Sequence, residues 1–146
     1  MEYMEKLEVV KNLLLTSQPL GHERELSPLA LAYVGDAVFE LMIRSFVIAE
    51  GNAPVNKLHK KARNFVNAKS QAQMAFRMME FFTEDEMAVF RRGRNAKSFT
   101  VPKNADIMEY RHATGLEAVF GYLYLSGNLE RALELLKVGL IQEINV

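Results

Sequence analysis

An all-α fold is the first expectation from this chain, and three observations carry it. Almost every segment spaces its apolar residues with helical periodicity. No alternating run of β-branched residues is bounded by hairpin turns. Helix start and stop signals recur along the chain. With 146 residues, 49% of them hydrophobic and 25% charged, the chain is sized for one globular domain, residues 1–146, with a core of its own.

The elements follow in order. A first helix is expected over residues 3–16, and the loop after it runs through Pro19 and Gly21 to a strong start signal, Ser27 as N-cap with Pro28 at the first helical position. The helix that follows is apolar on nearly all sides from Leu29 to Ala49. That pattern predicts a central helix covered all round, part of the cover coming from a second copy in a homodimer, with Gly51 as its C-terminal cap. A long helix is expected from Val55 to Glu80, with Leu58, Ala62, Phe65, Val66, Ala72 and Phe76 inward and Lys/Arg residues outward. Met74, Met78, Met79, Phe81 and Phe82 fall at helical spacing and read mostly as core. Thr83-Glu84-Asp85-Glu86 is a capping box that opens a helix ending near Arg92 and Gly93. A basic, polar loop over 94–105 leads to a helix from about Asp106 to Ser126. Gly127-Asn128 then turns the chain into a last amphipathic helix ending near Ile141. There is no internal repeat and no low-complexity tract.

Composition excludes several classes of function. Cysteine is absent, so disulfides and thiolate-ligated zinc or iron–sulfur sites are ruled out, in keeping with a reducing cytoplasm. The N-terminus lacks the basic-then-apolar layout of a signal peptide, and no run of about 18 uncharged apolar residues spans a bilayer, so the expectation is a soluble, cytoplasmic protein. Net charge is zero, which argues against coating nucleic acid by bulk charge. The distribution is uneven all the same. Ten of the 18 Lys and Arg residues fall in two windows, Lys57, Lys60, Lys61, Arg63 and Lys69, then Arg91, Arg92, Arg94, Lys97 and Lys103. Such clusters suit phosphate binding, although the first alone also reads as a solvated helix face.

Two acids stand where core is expected. Asp36 lies in Leu31-Ala32-Tyr33-Val34-Gly35-Asp36-Ala37-Val38-Phe39, and Glu117 is the lone acid in Ala113-Thr114-Gly115-Leu116-Glu117-Ala118-Val119-Phe120-Gly121. Taking a carboxylate out of water costs several kcal/mol, roughly, unless a cation or hydrogen-bond donors compensate it. A buried acid satisfied by an arginine, a helix N-terminus or a water is one account. The other is a shared cation, because Gly35, Gly115 and Gly121 would let two helices cross closely and bring both carboxylates together. With only His22, His59 and His112 as nitrogen donors, a hard divalent ion with oxygen ligands fits, Mg²⁺ best. Such an ion activates water and stabilises phosphate charge, the usual route to phosphodiester hydrolysis. Glu40 faces Arg44 one turn on and reads as an intrahelical ion pair. Phe99 reads as an exposed aromatic in the basic loop, and His112 by default as a surface residue.

These residues resemble a known family. Ala32-Tyr33-Val34-Gly35-Asp36-Ala37-Val38 looks like the signature helix of ribonuclease III domains, and Thr114-Gly115-Leu116-Glu117-Ala118 resembles that family's second metal-binding motif, Asp-x-x-Glu-Ala. The match to Mini-ribonuclease III, a short bacterial subfamily, is closer still. It runs through Leu29 to Ala37, Leu58-His59-Lys60-Lys61, Arg91 to Lys97, Pro102-Lys103-Asn104 and Tyr110 to Thr114, over roughly residues 29–126. The resemblance implies an all-helical, homodimeric endoribonuclease that needs Mg²⁺ and cleaves double-stranded RNA, each subunit cutting one strand. It further implies trimming of precursor large-subunit (23S) ribosomal RNA with a ribosomal protein bound. Carried over by position, Asp36 and Glu117 are the catalytic, metal-binding acids.

Two departures from the full ribonuclease III pattern stand out: Ala32 and Thr114 replace acids. With no appended double-stranded-RNA-binding domain expected, RNA contact would fall to the nuclease domain, at Lys60, Lys61, Arg92, Arg94, Lys97, Lys103 and Arg111. A-form grooves hide base edges, so recognition there would rest on phosphates, 2′-hydroxyls and shape. The competing readings are a non-catalytic RNA-binding or ribosome-assembly module, for which Ala32 and Thr114 speak, and a helical protein-interaction domain.

Overall fold

The structure, a computed structural model, describes residues 1–97, 103 and 106–144. Among them it is all-helical: α1 (Tyr3–Leu15), α2 (Pro28–Ala49), α3 (Val55–Arg63), α4 (Ala68–Met79), α5 (Glu84–Asn95), α6 (Ile107–Leu125) and α7 (Leu129–Ile144), with one 3₁₀ turn at Glu23–Glu25. The all-α expectation holds, and most boundaries fall within one to three residues of the reading from sequence. Most of the loop expected over 94–105, with Phe99 in it, lies outside the described residues.

The central helix is α6, not α2. Eleven of the 19 residues of α6 are buried, Leu116, Val119 and Phe120 completely, and α2, α4, α5 and α7 pack around it. On α2 the buried residues are Ala32 and a stripe at every fourth position, Leu31, Gly35, Phe39, Ile43 and Val47, with Phe39 meeting Phe120 edge to face at 5.4 Å. This chain covers the rest only in part, with Val34, Val38, Met42 and Phe46 half-buried against the core. Tyr33 is 82% exposed and Leu41 65%, so an apolar stripe looks outward. The start signal does act as read, the Ser27 hydroxyl accepting from the Ala30 N–H at 3.1 Å.

The expected long helix from Val55 to Glu80 is two helices. Asn67 ends the continuity: its Oδ1 accepts from the Ser70 N–H at 2.8 Å and its Nδ2 donates to the Arg63 carbonyl at 2.7 Å. A side chain that satisfies the backbone locally competes with the helical ladder, and here it becomes the cap of α4. Phe65 and Val66 lie in the turn between, Phe65 packed edge-on against Phe46 at 5.7 Å. Phe76, read as inward, is 56% exposed, and Phe81, read as core, is 55% exposed.

The capping box of α5 is formed, with both Thr83–Glu86 bonds present, and it is clamped from α7. Arg131 donates to both oxygens of Glu86 at 2.9 Å and to the Phe81 carbonyl at 2.7 Å. Burial alone would raise the Glu86 pKa, but the Arg131 and Thr83 hydrogen bonds bring it below the ordinary carboxylate range. The last turn of α5 reaches α6 through glycines. A Cβ at Gly93 would stand 2.8 Å from that of Ala118, and one at Gly115 would stand 2.8 Å from the Phe90 ring.

Candidate active site

The α2–α6 crossing places the two acids side by side. A Cβ at Gly35 would overlap the carbonyl oxygen of Glu117, and one at Gly121 would overlap that of Leu31, so the two backbones touch one turn apart, right beside the acids. The expected glycine crossing is therefore there, through Gly35 and Gly121. Gly115 serves the α5 contact instead. Glu117 is half-buried beneath the crossing, while Asp36, one residue past Gly35 and rotated off the covered stripe, is exposed. The expectation of a buried Asp36 is thus corrected: the acid stands at the rim and water reaches it.

The electrostatics follow from this placement. Burial pushes the Glu117 carboxyl up to about 9, the hydrogen bond and charge of Asp36 add to the rise, the Gln71 side chain opposes it, and the charge of Glu40 adds a smaller part. Glu40 makes the expected pair with Arg44 at 2.7 Å and is still felt by Glu117. Ala32 is buried, and the Thr114 hydroxyl is turned back on its own helix, donating to the Tyr110 carbonyl at 3.0 Å, so neither adds a donor to the acid pair.

Among the described residues no group of three or more histidines and acids is close enough to hold a metal by side chains alone. Two adjacent carboxylates, one open to solvent, suit a hard cation that keeps several waters, which is the habit of Mg²⁺. The donor set fits that ion, with Asp36 and Glu117 as the residues that would hold it.

The basic residues occupy different surroundings. Lys60 and Lys61 are exposed on α3, Lys61 paired with Glu50 at 3.6 Å. Arg92 is exposed at the end of α5 and reaches the Leu26 carbonyl at 3.3 Å. Arg94 is half-buried, its guanidinium 5.9 Å from the centre of the Phe90 ring and its Nε donating to Asn95 at 3.1 Å. Lys97 and Lys103 are exposed on either side of the undescribed stretch, and Arg111 is exposed on α6, six residues before Glu117, about 9 Å along the axis. α5 crosses α6 at Gly93 and Gly115, and Arg92 of its last turn lies beside Leu31 and Tyr122, toward the Gly121 end of the α2–α6 contact. His112 is not the surface residue expected. It is 6% exposed, stacked beside Phe76 and Phe90, with Nδ1 2.7 Å from the Met108 carbonyl, and it belongs to the core.

One residue beside the acids escaped sequence reading. Gln71 on α4 is 5% exposed and lies against Glu117. Its Nε2 is buried and makes no hydrogen bond of acceptable geometry, so the two side chains are in near contact rather than bonded. The available signal was its register with Ala75 and Met78 on the inward face of α4.

Residues 29–128 match the family of the ribonuclease III domain. The chain is 49% identical over 113 residues to a Mini-ribonuclease 3 of Thermoanaerobacter sp. (strain X514), covering 77% of this chain and 80% of that one. To the Mini-ribonuclease 3 of Clostridium tetani it is 47% identical over 116 residues, covering 79% and 77%. A crystal structure of a protein from Fusobacterium nucleatum superposes with a TM-score of 0.76 at 30% identity, over 85% of this chain and 95% of that one.

Proposed function

The chain belongs to the ribonuclease III family, among its Mini-ribonuclease 3 members, and is an endoribonuclease of that type; from this premise we propose that it cuts double-stranded RNA with Mg²⁺ held by Asp36 and Glu117. The observation that carries the proposal is the carboxyl pair at the α2–α6 crossing, inside the matched residues 29–128. When bound, Mg²⁺ supplies an activated water and stabilises charge on a phosphate oxygen. The chain's own residues do the rest. Glu117, protonated when the site is empty, would give its proton to solvent on binding the ion, Asp36 at the exposed rim would face solvent and substrate, and the glycine contacts hold the two helices that carry them close together.

Lys60, Lys61, Arg92, Arg94, Lys97, Lys103 and Arg111 are the proposed phosphate contacts, and their neutralisation of backbone charge makes RNA affinity salt-dependent. We further propose a cytoplasmic homodimer, paired through the outward apolar stripe of α2, that matures precursor 23S ribosomal RNA with a ribosomal protein on the substrate. Among the described residues no helix is long and apolar enough to cross a membrane.

The test is incubation of the purified protein with end-labelled double-stranded RNA, in Mg²⁺ or in chelator, beside Asp36→Asn and Glu117→Gln. Magnesium-dependent cutting that both substitutions abolish, with RNA binding retained, is the expected result. Cutting by Glu117→Gln at the unaltered rate would remove the acid pair from the mechanism. Binding without scission by the unaltered protein, even on a 23S precursor, would favour a non-catalytic module, with Ala32 and Thr114 as the reason.

A further inference from the structure

We propose that Gln71 is a positioning residue for the site: its side-chain amide donates to one oxygen of the ionised Glu117 carboxylate and so leaves the other oxygen turned toward the cation. The inference rests on the reading of Glu117 as a metal-holding acid. Its own footing is separate. Gln71 is 5% exposed, its Nε2 is buried without a partner, and the Glu117 carboxyl is its near neighbour across the α4–α6 contact. A buried amide left unpaired is costly, and a fold rarely keeps one without a use. Here the Glu117 carboxyl beside it is the acceptor at hand. A carboxylate that gives one oxygen to a cation keeps a second for a donor, and such outer partners orient the ligand and govern metal affinity. Gln71 is also held firmly, since the α4 turns that carry it pack by Ala72, Ala75 and Met78, all buried.

The experiment substitutes Gln71→Met in the full chain, which keeps the length of the side chain and removes the donor. Cleavage of double-stranded RNA is titrated with Mg²⁺, the thermal shift caused by Mg²⁺ is measured without RNA, and RNA affinity is measured in chelator. The expected result is an Mg²⁺ midpoint raised about 10-fold or more, a smaller thermal shift at equal Mg²⁺, and unchanged RNA affinity. A lower melting temperature with the same Mg²⁺ midpoint would make Gln71 merely structural and overturn the proposal.

A second measurement needs no substitution. In the unaltered protein the side-chain amide resonances of Gln71 should move downfield on addition of Mg²⁺, and an unmoved pair would overturn the proposal whatever the variant does. Failure of the underlying reading looks different: Mg²⁺ then gives no thermal shift in the unaltered protein, and Glu117→Gln still cuts.

Discussion

Burial, with Asp36 adding to it, pushes the Glu117 carboxyl up to about 9, which favours its protonated form at neutral pH. Relative to its ordinary value of 4.5, the folded chain binds that proton more tightly than the unfolded chain does. The stability this contributes is full below pH 4.5 and is lost as pH rises toward 9. In chelator, the melting temperature should therefore fall across neutral to alkaline pH. Glu117→Gln, which cannot ionise, should show a shallower fall and melt a few degrees higher at pH 8. Thermal scans from pH 5 to pH 9 on both proteins decide it, and parallel slopes would contradict the assignment. The acid pair was legible in the sequence because an isolated acid in an apolar helix flanked by glycine has few explanations. The exposure of Asp36 was not, since one residue of helical rotation separates a covered position from an open one and periodicity cannot say which face has a partner. Gln71 was hidden by Lys69 and Gln73 on either side, which give the start of α4 the look of a solvent face.

Among the elements, α5 depends most on one distant residue. Glu86 completes the helix's own capping box and at the same time receives Arg131 of α7, itself 24% exposed at the side chain against 4% for Glu86. Removing the arginine leaves a nearly buried carboxylate with the Thr83 bonds alone. Arg131→Met should cost about 2–4 kcal/mol in urea unfolding, toward the lower part of the range for breaking a buried pair because the arginine keeps some water. The pH dependence has the opposite sign to that of Glu117. Since Glu86 is held below its ordinary range, its contribution is present above about pH 4.5 and is lost as pH falls, so the gap between Arg131→Met and the unaltered protein should narrow in acid. The capping box could be read directly, being local in sequence; the arginine 45 residues away could not. The break between α3 and α4 was missed for a related reason. Apolar spacing runs through it, and what decides is whether Asn67 caps or points to solvent. Asn67→Ala should cost about 1 kcal/mol, seen as a lowered urea midpoint with unchanged slope.

At the scale of the whole molecule, a large unpartnered feature among the described residues is the outward face of α2. Tyr33, Leu41 and Ile48 are 82%, 65% and 53% exposed, and beside them Val34, Ala37, Leu41, Tyr124 and Leu133 line an apolar groove that Leu14 of α1 also borders. Scattered exposed apolar residues need no explanation, but a stripe along one helix joined to a groove marks a surface that binds something. The same stripe explains why α2 reads as apolar all round in sequence while one chain covers a single face of it. A second copy, meeting it face to face about a two-fold axis, would complete the covering that the pattern predicts. Asp36 immediately precedes Ala37 of this groove, so pairing through the stripe would set the two acid sites at a fixed spacing beside one continuous surface, the arrangement needed to cut both strands of one duplex. Leu41→Glu puts a charge at the centre of the stripe, where it is harmless to a lone chain because the position is already open. Sedimentation equilibrium should then report half the mass of the unaltered protein with unchanged helical content, and double-strand scission should fall at least tenfold while Asp36 and Glu117 remain intact. A Leu41→Glu protein of unchanged mass would move the interface away from α2 and leave its apolar face to a different partner.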